Sequence, residues 1–206
     1  MTQLQQLQDL LADGSVWRSS ALRSLGIRPQ AIANALKAGQ ISQVSKGFYY
    51  RADAGVDPGL ASLVAGCNRM PQAVACLLSA AHLTGLADRA PEQPWIALPL
   101  NAHGSTACGQ VGHLVRWSYD GAFEEGVEER RIGGASVRHT GPARTVVDLV
   151  RYARRLGGMA PAAAATRRFV ASGGAFSEVA DVAMKLRVPD DTLSRLEMLQ
   201  VAVAAG

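Results

Sequence analysis

Three glycines, Gly14, Gly26 and Gly39, each close a short apolar-periodic segment, and this punctuation constrains the fold more than any other feature of the chain. Gly14 follows Leu4, Leu7, Leu10 and Leu11, which recur at helical spacing and predict a first helix over about 2 to 12. Ser19 and Ser20 form an N-cap pair ahead of Ala21, Leu22 and Leu25, and Gly26 stops this second helix. Pro29 suits a first helical turn, Ile32 and Leu36 mark the buried side of a third helix, and Gly39 ends it. Helix, turn, helix results. Ile41-Ser42-Gln43-Val44 and Phe48-Tyr49-Tyr50-Arg51 then alternate like two strands around Ser45-Lys46-Gly47, a hairpin turn with a cation at its tip. The pattern as a whole predicts a winged helix-turn-helix over residues 1–52.

On the third helix the residues opposite Ile32 and Leu36 are Gln30, Asn34 and Lys37, with Arg28 just ahead. These side chains pair with base edges or phosphates. The small residues Ala31, Ala33, Ala35 and Ala38 between them favour close approach to a groove. The charge is distributed to match. Residues 1–52 hold Arg18, Arg23, Arg28, Lys37, Lys46 and Arg51 against Asp9 and Asp13, a net +4, which is the excess of the whole chain. The remaining residues carry equal numbers of basic and acidic side chains. The other reading of the same module is protein interaction, since winged helices also serve that role and a polar helix face is usually a solvated one. Trp17, Phe48 and Tyr49 are expected in the core rather than stacked on bases.

Ala52-Asp53-Ala54-Gly55-Val56-Asp57-Pro58-Gly59 reads as a boundary, with a second domain over 58–206. Its start predicts two apolar helices, one over Leu60 to Ala65 and one over Ala73 to Leu83, separated at Pro71. Short strands follow at Trp95 to Leu98, His113 to Trp117, Val127 to Ile132 and Ser136 to His139, the last two joined by Gly133-Gly134. They imply a small mixed or antiparallel sheet. Gly141-Pro142 opens a helix with Val146, Leu149, Val150, Ala153 and Leu156 on its buried face and Arg144, Asp148, Arg151 and Arg155 on the other. Further helices are expected at about 159–171, 176–186 and 190–204. The predicted class is α+β, a winged helix followed by a mixed α/β domain with a small sheet and C-terminal helices.

Arg151, Arg154, Arg155, Arg167 and Arg168 are dense enough to form a second basic surface. The alternative is an Arg144–Asp148–Arg151 salt-bridged ladder, with Glu124, Glu125, Glu128 and Glu129 neutralising the rest. The histidines, His82, His103, His113 and His139, show no metal-ligand spacing, and a lone His103 near Ser105 has no specificity as a catalytic pair. No phosphate-binding loop or nucleophile elbow is present, so neither an enzyme, a cofactor nor a metal is expected. Cys67, Cys76 and Cys108 match no zinc or redox pattern and read as free thiols. No apolar run is long enough for a membrane span and the N-terminus lacks a signal-peptide profile, so a cytoplasmic location is expected.

Three blocks carry a resemblance. The first is Trp17-Arg18-Ser19-Ser20-Ala21-Leu22-Arg23-Ser24-Leu25-Gly26-Ile27 with Ile41-Ser42-Gln43-Val44-Ser45-Lys46-Gly47-Phe48-Tyr49. The second is Cys76-Leu77-Leu78-Ser79-Ala80-Ala81-His82-Leu83-Thr84-Gly85-Leu86 with Trp95-Ile96-Ala97-Leu98-Pro99. The third is Gly141-Pro142-Ala143-Arg144-Thr145-Val146-Val147-Asp148-Leu149 with Arg151-Tyr152. In this order they resemble AbiEi-type antitoxins and transcriptional regulators of bacterial type IV toxin–antitoxin systems. The resemblance implies a winged helix that binds inverted repeats upstream of its own operon and represses it; because one module of this size gives a modest interface, two copies on the DNA are expected. It also implies a C-terminal domain that counters a nucleotidyltransferase-like toxin. DNA contact would fall on Arg28, Gln30, Asn34, Lys37 and Lys46, with Arg18, Ser19 and Ser20 toward phosphate. The rival expectation is a protein-interaction module that neutralises the toxin directly, with DNA binding secondary.

Overall fold

The apolar periods of the N-terminal segment fold as three helices, α1 (Gln3–Leu10), α2 (Ser19–Ser24) and α3 (Pro29–Lys37). The computed structural model describes residues 2–53, 55, 57–102, 112–132 and 135–204. His103, Ser105, Cys108 and the Gly133-Gly134 link lie outside the described residues. A capping box starts α1: the Thr2 hydroxyl accepts from the Gln5 N–H at 3.2 Å, and Gln5 Oε1 accepts from the Thr2 N–H at 2.9 Å. Two glutamines then fasten α1 to the α2–α3 corner. Gln3 and Gln6 donate to the Gly26 and Leu25 carbonyls, each at 3.1 Å, and Gln3 Oε1 accepts from the Arg28 N–H at 2.8 Å. The corner turns at Gly26, whose φ of +88° is a conformation that glycine adopts without a Cβ penalty.

Two local expectations are corrected here. Ser19 and Ser20 are the first residues of α2 and do not cap it; Arg18 is the N-cap and makes no side-chain cap bond. The reason is that Trp17–Arg18 is a strand, β1, whose pairing fixes where the helix begins. Leu25, expected on the buried face, is 44% exposed because it lies past the end of α2.

The hairpin forms as β2 (Ile41–Ser45) and β3 (Phe48–Arg51), and β1 joins its far side to give an antiparallel sheet of order β1-β3-β2. Lys46 and Gly47 make the turn, with Gly47 at φ +82°. Leu7, Leu11, Leu22, Ile27, Ile32, Ala35 and Ile41 form one buried cluster under the three helices. Burial of each leucine or isoleucine there contributes roughly 1.5–3 kcal/mol.

α4 (Pro58–Arg69) follows, started by Asp57, whose carboxylate accepts from the Gly59 and Leu60 N–H groups at 2.7 and 3.1 Å. The expected apolar helix over Ala73 to Leu83 is two elements, β4 (Val74–Ala75) and α5 (Leu77–Leu83). A two-residue strand inside an apolar run leaves no periodic trace, yet β4 is the central strand of a five-stranded mixed sheet. The other strands are β5 (Trp95–Pro99), β6 (His113–Trp117), β7 (Val127–Ile132) and β8 (Ala135–Thr140), in the order β6-β5-β4-β8-β7. β4–β8 and β5–β6 are parallel, and β4–β5 and β7–β8 are antiparallel.

Alternation along β5 divides the two faces. Trp95 and Ala97 join a cluster with the later helices, whereas Ile96 and Leu98 join one with α4. The α4-side cluster also takes in Val16 and Phe48, so the three-stranded sheet packs on α4 and the second sheet through shared apolar contacts. The opposite face is covered by α5 and α6 (Pro142–Arg151), with α7 (Ala160–Ala171), α8 (Phe176–Lys185) and α9 (Asp190–Ala204) completing the layer. At the sheet edge β7 carries Glu128, Glu129, Arg130 and Arg131 exposed, which discourages pairing with another chain.

Candidate functional site

On α3, Ile32 and Ala35 are buried, and Gln30, Asn34 and Lys37 are exposed, as is Arg28 ahead of them. Gln30 Nε2 donates to Asn34 Oδ1 at 2.9 Å, which orients both amides on the outer face. The small-residue expectation is corrected in part: Ala35 is 1% exposed and Ala31 packs against the N-terminal cluster, leaving Ala33 and Ala38 exposed. Lys46 is exposed at the hairpin tip.

The tip and the start of α2 form one local unit. The Ser19 N–H donates to the Gly47 carbonyl at 2.8 Å, and Arg18 pairs in register with Phe48. Arg18 and Ser20 are exposed, and Ser19 is half-buried. Arg69, at the end of α4, was not singled out in the sequence. Its Nη2 donates to the Lys46 carbonyl at 2.8 Å, and its Cζ lies 5.5 Å from the Phe48 ring centroid. Arg18 Cζ approaches the same ring at 6.0 Å. Phe48 is 2% exposed, and Trp17 and Tyr49 are half-buried against the N-terminal cluster, so all three pack inward. Nothing local in the sequence marks Arg69, because the contact joins residues 23 apart.

The five arginines of the possible second basic surface have different surroundings. Arg168 pairs with Asp88 through both nitrogens, and Arg155 donates to the Leu114 carbonyl at 3.2 Å with its Cζ 5.9 Å from the Trp95 ring. Arg151 stacks on Tyr119 at 3.9 Å, and Arg154 and Arg167 are exposed. Among the described residues none of them pairs with Glu124, Glu125, Glu128 or Glu129, so that expected neutralisation is corrected; Glu125 lies instead 3.9 Å from Lys185.

A further correction concerns α6. Arg144 and Asp148, expected on a polar face, have 0% side-chain exposure and form an ion pair at 2.9 Å. Arg144 also donates to the Tyr119 hydroxyl at 2.8 Å and to the carbonyls of Glu125 at 2.5 Å and Ala122 at 3.3 Å, with its Cζ 4.8 Å from the Trp117 ring. Arg144 therefore fastens the 119–125 loop over the helix. Burial pushes the Asp148 carboxyl above the ordinary carboxylate range, against the opposing pull of Arg144. At Arg144 burial is the largest single influence and pulls the guanidinium down, but the Asp148 charge and the Tyr119 hydroxyl together outweigh it and raise the group above its ordinary value. Burial likewise pushes the Tyr119 phenol well up. An i,i+4 Arg–Asp pair looks the same in sequence whether a loop covers it or water does.

His82 is half-buried with Nδ1 3.4 Å from the Ala87 carbonyl, His139 is buried, and His113 stacks on Trp95 at 4.2 Å. Cys67 and Cys76 are buried. No described helix is long and apolar enough to cross a membrane.

Residues 73–183, which include β4, the whole five-stranded sheet and the buried Arg144–Asp148 pair, match the family model of the AbiEi antitoxin C-terminal domain. The chain belongs to the AbiEi antitoxin family. No curated protein matches this AbiEi-family chain. Its fold is similar to that in the crystal structure of the RV2827C protein from Mycobacterium tuberculosis, with a TM-score of 0.64 and 17% identity. That likeness covers 96% of this chain and 75% of the mycobacterial one, and at such identity it concerns the fold alone. Membership of an antitoxin family implies a toxin partner of some kind.

Proposed function

We propose that this AbiEi-family antitoxin is a sequence-specific DNA-binding repressor of its own toxin–antitoxin operon, acting in the cytoplasm. In this reading residues 1–52 are a winged helix-turn-helix and 58–206 an α/β antitoxin domain. α3 is the recognition helix, with Gln30 and Asn34 toward base edges and Arg28 and Lys37 toward base edges or phosphates. The β2–β3 hairpin is the wing, with Lys46 on the backbone and Arg18, Ser19 and Ser20 beside it. The observation that carries the reading is the exposed Gln30–Asn34–Lys37 face, followed directly by a hairpin whose exposed tip is Lys46. One module of this size gives a modest interface, so two copies on an inverted repeat are expected.

Band shifts on the region upstream of the operon, against random DNA at several salt concentrations, test this. Lys46→Ala weakens binding to every sequence and reduces the salt slope by about one, whereas Asn34→Ala relaxes base preference. Equal affinity of the unaltered protein for upstream and random DNA removes the sequence-specific claim.

A second reading is direct neutralisation of a nucleotidyltransferase-like toxin by the second domain. It is favoured by three exposed apolar side chains on the last helices, Met184 at 64%, Met198 at 63% and Val201 at 70%. Co-elution with the product of the adjacent gene supports it, and an unchanged elution volume in excess of that product counts against it.

A further inference from the structure

A cavity of about 450 Å³ opens between the turn after β6, the end of α6 and the end of α8. Arg151 lines it in a fixed pose, with Cζ 3.9 Å from the Tyr119 ring centroid and 5.9 Å from that of Tyr152. The Tyr119 platform is itself held by the hydrogen bond from buried Arg144. Yet Arg151 Nη1 is buried and has no hydrogen-bond partner among the described residues. Nη1 itself opens no surface to the cavity and lies within electrostatic reach of the buried Asp148 carboxylate, so it is the rest of Arg151 that lines the wall.

Arg187 supplies a second, independent sign. Its φ is +46°, in the left-handed region. The Val188 N–H donates to the Ala183 carbonyl at 3.2 Å and the Arg187 N–H to that of Met184 at 3.0 Å. These bonds close α8 in a Schellman motif, with arginine at the position glycine fills most easily. The strained residue lines the same cavity as Arg151, and Lys185 adds a third cation, only loosely paired with Glu125 at 3.9 Å. Ser118 contributes a hydroxyl, and Asp120 and Glu125 contribute acceptors.

We propose that this cavity binds a small phosphorylated molecule. The phosphate takes the guanidinium groups of Arg151 and Arg187 together with the Lys185 ammonium, a donor set that matches oxyanion geometry. Asp120 and Glu125 accept from hydroxyl or amino groups on the rest of the molecule. The same two carboxylates repel a bare run of phosphates, which sets this site apart from a nucleic-acid backbone groove. The volume lies in the range of small-molecule sites, roughly 300–1,000 Å³.

Calorimetric titration of the full chain with inorganic phosphate, AMP and adenosine tests the proposal. AMP and phosphate bind, AMP the tighter, and adenosine gives no heat. Arg187→Gly is the decisive variant, because glycine relieves the backbone at that position. It weakens AMP binding by about tenfold while the melting temperature is unchanged or raised. Arg151→Gln abolishes binding. The proposal is overturned if neither phosphate nor AMP binds, if adenosine binds as tightly as AMP, or if Arg187→Gly leaves the affinity unchanged. It is also overturned if Arg187→Gly weakens binding to the upstream DNA instead, since the cavity then serves a nucleic-acid backbone.

Discussion

Replacing Arg144 by methionine removes the cation from a pair with 0% side-chain exposure on both partners. The volume is nearly kept, but the Tyr119 hydroxyl and the Glu125 and Ala122 carbonyls lose their donor. Asp148 is left buried, and its Oδ1 already lacks a hydrogen-bond partner among the described residues. Breaking a buried ion pair in this way costs about 3–5 kcal/mol, a large part of the roughly 5–15 kcal/mol that stabilises a typical domain. In a urea titration followed by tryptophan fluorescence, with Trp117 against the altered site, the midpoint falls by about 2 M for a slope of about 2 kcal/mol per molar. The loss depends on pH with a definite sign. Burial already raises the Asp148 carboxyl in the folded protein, and without Arg144 it rises further. A carboxyl raised on folding leaves stability intact below its unfolded value, about 3.9, and removes it as pH climbs toward the folded value. The deficit of Arg144→Met therefore shrinks as the solution is acidified. Arg144→Met with Asp148→Leu recovers most of the loss at neutral pH, because no unpaired charge remains. A single-variant cost below about 1 kcal/mol, a deficit that grows on acidification, or a double variant no better than the sum of its parts refutes the reasoning.

Three further outcomes follow from individual contacts. Arg69→Gln frees the hairpin tip from α4 and, on the proposed function, lowers affinity for upstream DNA several-fold without changing base preference in the same band shifts; an unchanged affinity shows the hairpin tip is held without it. Gly59→Ala places a Cβ 2.3 Å from the Pro91 carbonyl oxygen, so α4 and the 90–91 backbone must separate at a cost of about 1–3 kcal/mol, read by thermal unfolding. Cys67 and Cys76 are buried, and burial pushes the Cys76 thiol well above its ordinary value. In the native protein at pH 8 both resist a disulfide reagent and react once the chain is unfolded in denaturant, while fast native labelling of Cys76 contradicts its burial.

Local signals carried the N-terminal unit. Gly26 and Gly39 directly follow the C-caps of α2 and α3 at positive φ, whereas α1 already ends at Leu10, ahead of the turn that Gly14 closes; the alternation around Lys46-Gly47 specifies a hairpin through short-range sterics alone. The exposed placement of Gln30, Asn34 and Lys37 follows from the same helical period that buries Ile32. The longer helices near the C-terminus and four of the five strands of the second sheet were legible for the same reason, since period and punctuation are properties of neighbouring residues. What the sequence withheld depends on partners far along the chain. β1 and β4, two residues each, are strands because β3, β5 and β8 lie beside them, and β1 in turn decides that Arg18 rather than Ser19 begins α2. Arg69 reaches the hairpin tip only once α4 is folded against it. Arg144 and Asp148 look like a solvated i,i+4 pair until the 119–125 loop closes over them, and Arg187 looks like one more surface cation until α8 ends in a left-handed turn beside Arg151. Periodicity shows which side of a helix is apolar; only packing decides whether the polar side meets water, a loop or a cavity.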